Sequence, residues 1–118
     1  MKPVNLPEKL NQFSSHWDPH VIADYNENDV MVVKFIGEYS FHKHEKTDDF
    51  FYVLEGEMMM DFADQPSQLV KAGEIFIVPR GVIHRPRAEH EVKVLLIEPK
   101  GEPNSGDSDR EAAPKTRI

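Results

Sequence analysis

Seven short runs rich in β-branched and aromatic residues, separated by turn signals and by no helical pattern, constrain this chain more than any other feature. VIADY, VMVVKFI, FFYVLEG, EMMMDF, QLVKA, EIFIVP and VKVLLIEP follow one another from about residue 20. Asn26 and Asn28, Gly37, Gly56, Asp64 to Pro66, Gly73, and Pro79 with Gly81 punctuate them. Strands in succession without intervening helices predict a sandwich or barrel, not alternating β and α units. IFIV and VLLI are too continuously apolar to keep a wet face. They predict burial on both sides, as where a barrel also meets a second subunit.

The two ends read differently. Leu6, Leu10 and Phe13 recur at helical spacing, and Asn5 is an N-cap candidate with Glu8 three residues on, so residues 5–14 predict a short helix. Pro7 falls in its first turn, where proline is tolerated. Residues 1–20 are thus an N-terminal arm anchored by Trp17, whose large ring favours packing over ligand stacking. Residues 21–99 form the β domain. From Gly101 to Arg117 only Ala112 and Ala113 are apolar, so residues 100–118 are expected to be a flexible or extended tail.

At 118 residues there is room for one domain, large enough to bury a core without covalent staples. No cysteine is present, which removes disulfides, thiolate metal sites and cysteine nucleophiles, and leaves nitrogen and oxygen as the only metal donors. The net charge is −7. In the tail Lys100, Arg110, Lys115 and Arg117 balance Glu102, Asp107, Asp109 and Glu111, so the acidic excess falls on residues 1–99. An acidic domain excludes nucleic acid as the expected partner. The N-terminus lacks the apolar run of a signal peptide and no segment has the length and hydropathy of a membrane span, so the expectation is a cytoplasmic protein.

Chemistry concentrates on three of the six histidines. His42 and His44 are one residue apart, so on a strand both rings point to one face. If EKTD is a turn, Asp49 opens the next antiparallel strand and faces the same interior, and His84, after VPRGV, joins from a third strand. Three imidazoles and a carboxylate suit a divalent Fe, Mn, Ni, Cu or Zn ion. By themselves, histidines two apart serve equally for cross-strand hydrogen bonding. Phe51 shares the parity of Asp49 and, with Met60, is expected to line the interior below such a site, although core packing explains both as well. Of Arg80, Arg85 and Arg87, strand parity turns the last two outward and leaves only Arg80 able to meet a ligand at the mouth. His16, His20 and His90 have no matching partners and read as surface or packing residues. Tyr39, Asp61 and Glu74 are the candidates for a general base, with nothing to choose between them.

Gly37, His42, His44, Asp49 and Gly56 resemble the first motif of the cupin family: a glycine, a His-x-His pair, an acidic ligand, and a glycine seven residues beyond it. Gly73, Pro79, Gly81 and His84 resemble the second motif, and together the two cover residues 37–88. Two substitutions set the chain apart: aspartate at 49 where glutamate is usual, and Ala88 where the second motif usually ends in asparagine. The resemblance to small single-domain cupins implies a double-stranded β-helix, or jelly-roll, barrel and a homodimer. It also implies a metal on His42, His44, Asp49 and His84. The function then expected is metal-dependent isomerase- or oxygenase-type chemistry on a small oxygen-rich metabolite, a sugar derivative or a carboxylate. The alternative is a non-catalytic binding module or scaffold, because this fold serves many functions.

Overall fold

The structure is a computed structural model that describes residues 1–118. In chain order it contains α1 (Leu6–Leu10), β1 (His20–Tyr25), β2 (Asn28–Glu38), β3 (Asp49–Glu55), β4 (Glu57–Phe62), β5 (Gln68–Lys71), β6 (Ile75–Val78), β7 (His84–Pro99) and β8 (Thr116–Arg117). Each of the seven predicted runs is a strand. No helix is long and apolar enough to cross a membrane.

The long strand β7 organises the molecule. Its first residues pair with β4, from Phe62↔His84 to Met59↔Arg87, and its later ones pair with β3, from Val53↔Val94 to Phe50↔Ile97. Its other edge runs along β2 for nearly the whole length, with a bulge between Phe35 and Gly37. One strand therefore belongs to two layers, β5-β4-β7 on one side and β6-β3-β7-β2-β1 on the other, and the sheet wraps into an open-sided double-stranded β-helix. The sequence predicts a strand beginning only at Val92. The extra eight residues include Arg85, Pro86 and Arg87, a segment whose charge hides the pattern, yet His84, Pro86 and Ala88 alternate inward as the pleat requires.

Alternation fills the interior. Phe51 and Val53 of β3, Met58 and Met60 of β4, and Val92, Val94 and Leu96 of β7 meet Met31, Val33 and Phe35 of β2 in one cluster. At about 1.5–3 kcal/mol for each large side chain removed from water, this cluster is the main source of stability. The outer face of β2 is covered as well: Val32 packs with Leu10 of α1 and with Ile22, flanked by Leu6 and Phe13. Asn5 caps α1, its side chain accepting from the Glu8 amide at 2.9 Å. The helix is shorter than the predicted 5–14. It stops at Leu10 because Phe13 is needed outside it, where its ring stacks on His20 at 4.0 Å and its carbonyl accepts from Lys34 Nζ at 2.5 Å. Trp17 fastens the arm to β2, stacked on Phe35 at 4.4 Å with its indole N–H donating to the Ile36 carbonyl at 2.9 Å.

One expectation changes in the folded chain. IFIV is not covered on both sides: Ile75 and Ile77 point outward from β6 and are 58% and 48% exposed. The tail follows the barrel surface without regular structure as far as β8, which adds to β1 in parallel through His20↔Thr116 and Val21↔Arg117.

Candidate metal centre

The β2–β3 connection carries His42 and His44, β3 opens with Asp49, and β7 opens with His84. A short bridge, His42↔His84, zips the connection onto β7 through two backbone hydrogen bonds of 2.9 and 3.0 Å. That bridge gives the His-x-His segment strand-like alternation, so both rings turn inward while Lys43 between them stays outside. Pro79 and Gly81, the latter at φ +80°, turn the chain so that the Gly81 amide donates to the His44 carbonyl at 2.8 Å. The four side chains so gathered are all buried, and one donor atom from each lies within 4.8 Å of all the others.

Each ring is oriented through its far nitrogen. His42 Nδ1 donates to the Ser40 carbonyl at 2.9 Å, His84 Nδ1 to the Val82 carbonyl at 2.8 Å, and His44 Nδ1 to Glu102 Oε1 at 3.1 Å. Carbonyl and carboxylate oxygens only accept, so all three Nδ1 atoms carry protons and the Nε2 atoms are turned to the centre. Asp49 Oδ2 lies 2.9 Å from His84 Nε2 and 3.3 Å from His44 Nε2. His44 Nε2 is fully buried and has no hydrogen-bond partner. Three buried Nε2 atoms converging on one carboxylate are what a site for one divalent transition ion requires once their protons are displaced, and the donors fit it. Aspartate reaches the cluster from the first position of β3, so the shorter side chain at 49 is no obstacle.

The charges follow from the packing. Burial drives the His42 imidazole down to about 4. Burial also opposes charge on His44, but the Asp49 carboxylate beside it, with Glu102 and Glu98 behind, outweighs it and pushes His44 up to about 9. Asp49 resists its own burial because His44 and His84 face it, and it is held down to about 2.

Beside the cluster lies a small cavity of about 30 Å³ whose wall includes Trp17, Phe35, Tyr39, Phe51 and Leu96, with His42, Asp49, Glu98 and Asn104 as its polar members. Phe51 is thus where the sequence places it, edge-on to His84 at 6.3 Å between centroids. Met60 is not in this wall; it is fully buried in the core, opposite Pro86 of β7. Arg80 also fails to reach the cavity, because Asp48 at the strand's opposite parity holds it outside, accepting from the Arg80 amide at 2.9 Å. Asp61 is occupied elsewhere by Arg85, Arg87 and Ser67, and Glu74 caps the Lys71 amide; only Tyr39 of the three base candidates borders the cavity.

Sequence reasoning missed Glu98. It sits on β7 in the inward register of Val92, Val94 and Leu96, is 3% exposed, and its Oε2 has no hydrogen-bond partner. Burial, with the nearby Asp49 charge, pushes its carboxyl up to about 7. The signal was present: a carboxylate at the inward parity of an apolar strand.

Fold and site together define a small double-stranded β-helix protein with a buried three-histidine, one-aspartate centre. A family model for the cupin domain matches residues 30–98, and the chain belongs to the cupin family. It is 37% identical over 99 residues to YdbB, an uncharacterised protein of Bacillus subtilis (strain 168), covering 84% of this chain and 88% of that one. A crystal structure of a cupin-2 domain containing protein from Shewanella frigidimarina superposes with a TM-score of 0.80 at 40% identity, over 82% of this chain and 94% of that chain. A more distant relative is the 3-hydroxyanthranilate 3,4-dioxygenase of Jannaschia sp. (strain CCS1), 31% identical over 93 residues, which cover 71% of this chain and half of the enzyme.

Proposed function

We propose that this cupin is a metal-dependent enzyme acting on a small oxygen-bearing molecule, by oxygenase- or isomerase-type chemistry. The observation that carries the reading is the set of three imidazoles locked by their Nδ1 protons, with His44 Nε2 left unpaired among the other donors. His42, His44, Asp49 and His84 would hold the ion. A divalent transition metal there supplies Lewis acidity toward a ligand oxygen and, when redox-active, a route to dioxygen chemistry.

The chain's own residues shape the rest. Trp17, Phe35 and Phe51 wall the cavity and keep water from the reacting face, which favours a flat or partly apolar ligand over a fully hydroxylated sugar. The Glu98 carboxyl, held near neutrality, offers or takes a proton at a ligand oxygen next to the centre. The dioxygenase among the relatives supports the oxygenase branch.

Elemental analysis of untagged protein purified without chelators, beside a His42→Ala control, tests the reading. Near-stoichiometric metal that is lost in the control supports it. No metal in either, even after reconstitution, overturns it. The same reading takes the protein as a homodimer that covers Ile75 and Ile77, and light scattering that reports a monomer at micromolar concentration refutes that part.

A further inference from the structure

We infer that the tail segment from Gly101 to Lys115 is a strap that completes the metal centre, with Glu102 as the positioning residue for His44. The inference rests on the metal-binding reading above and goes beyond it. His42 and His84 are each oriented by a carbonyl two residues back in their own loop, Ser40 and Val82. His44 has no such local partner. Its Nδ1 is oriented by Glu102 Oε1, which arrives from 58 residues away in sequence. One of the three rings is therefore aimed only when the strap is docked.

The strap is seated on the metal loop itself. The Lys43 amide, between the two histidines, donates to Asp107 Oδ1 at 2.8 Å, and the Asp107 amide donates back to the Lys43 carbonyl at 3.2 Å. Gly106 lies so close that a Cβ would stand 2.5 Å from the Lys43 carbonyl oxygen and 2.9 Å from His42 Cδ2. Ser105 is 3% exposed, and Asn104 forms part of the cavity wall. Lys115 ties the far end down, donating to the Glu102 carbonyl and standing 3.8 Å from Glu98 Oε2. The Arg110 guanidinium covers the Tyr39 ring at 4.4 Å.

The energetics of this segment differ from those of the barrel. It has no helix or strand and only Ala112 and Ala113 as apolar residues, so polar contacts, each worth about 0.5–1.5 kcal/mol net, must offset its ordering entropy. A docked state balanced this closely responds to small biases. Metal bound to a correctly aimed His44 favours the docked strap, and by linkage the docked strap strengthens metal binding by the same factor. Because Asn104 walls the cavity, the strap that tightens the centre also screens it.

The test uses the full-length chain with cobalt(II), whose visible spectrum reports coordination. Loss of a carboxylate that orients a ligating histidine weakens metal binding roughly 10–100-fold. Glu102→Ala is expected to show that loss, and Glu102→Gln, which keeps an acceptor, a smaller one, while the metal-free melting temperature of each stays close to wild type. Asp107→Ala, which touches no histidine, is expected to weaken cobalt and to speed trypsin cleavage at Arg110. Cobalt is expected to slow that cleavage in wild type but not in His42→Ala. Wild-type cobalt affinity in both Glu102→Ala and Asp107→Ala, with cleavage indifferent to cobalt, overturns the strap and leaves the metal centre standing. A wild-type chain that takes no cobalt overturns both.

Discussion

Metal binding by this site must expel protons from the imidazole Nε2 atoms that face Asp49, and the packing makes His44 the costliest to deprotonate. At pH 7 His42, driven down to about 4, already offers a free Nε2 lone pair, and Asp49, held down to about 2, is already anionic. His44 is the exception: pushed up to about 9, it is protonated on both nitrogens. Its Nδ1 proton stays on the ring, donated to Glu102, so the Nε2 proton is the one this residue gives up. Two pH units below that value, proton competition costs about 2.7 kcal/mol, or roughly a hundredfold in apparent affinity. Between pH 6 and 8 the dissociation constant of manganese(II) or cobalt(II) should therefore fall about tenfold per pH unit. Calorimetry at pH 7 in buffers of different ionisation heat should count at least one proton released per ion, from His44, and a second where His84 Nε2 gives up the proton it donates to Asp49 at 2.9 Å. An affinity flat across this range with no proton released would refute the assignment of a charged His44 facing Asp49.

Three further outcomes follow from the packing. Glu98→Gln should flatten the metal-free stability profile between about pH 4.5 and 7. The folded carboxyl is raised to about 7, so the wild-type chain loses stability as pH climbs through that window, and the variant should be more stable at pH 8 by on the order of 2 kcal/mol; equal urea midpoints at pH 8 count against it. Asp61 is held well below the usual carboxylate range, first by the Arg87 guanidinium and also by Ser67 and Arg85, against a smaller effect of burial. Its contribution is present above about pH 4 and is lost as pH falls, so Asp61→Asn should destabilise by about 1–2 kcal/mol at pH 7 and progressively less toward pH 3 in denaturant titrations. Met60→Ala, at a fully buried core position, should cost about 2–5 kcal/mol while leaving metal stoichiometry unchanged, and metal loss without unfolding would return Met60 to the site.

The strands and the clustering of the four side chains were legible because both rest on short-range rules. Alternation places Phe51 and Val53 inward with Asp49, and Met58 inward with Met60, whatever the neighbours are. The His-x-His spacing fixes which way two rings face once a single bridge to His84 makes the segment extended. Helix length was less legible, since propensity alone carries a helix through Phe13 and only the tertiary pull of His20 and Lys34 ends it at Leu10. Strand β7 defeats run-spotting in another way. Its first half is written in arginine, proline and glutamate because its outward face is an ion-pair surface: Arg85 and Arg87 converge on Asp61, and the strand pattern survives only in His84, Pro86 and Ala88.

Glu102 was out of reach, and Glu98 was marked only by its parity on β7, for a reason that bears on the site itself. Within their own segments they look like a strand-end glutamate and one more charge in a polar tail. Each acquires a role only when β7 and the tail meet the histidine loop, Glu98 bordering the cavity beside His42 and Asp49, and Glu102 against His44. With Asp49, three carboxylates thus gather at the histidines, and burial disfavours the charge of two of them, Asp49 and Glu98. Such an acidic, partly unpaired cluster is unfavourable in a barrel that only needs to be stable, and Lys115 at 3.8 Å from Glu98 is the only lysine or arginine paired with any of the three. A divalent ion among the histidines supplies the missing positive charge. Glu98, which strains the metal-free fold, therefore favours the metal-bound one, and Glu102 adds a carboxylate that aims His44 at the same centre.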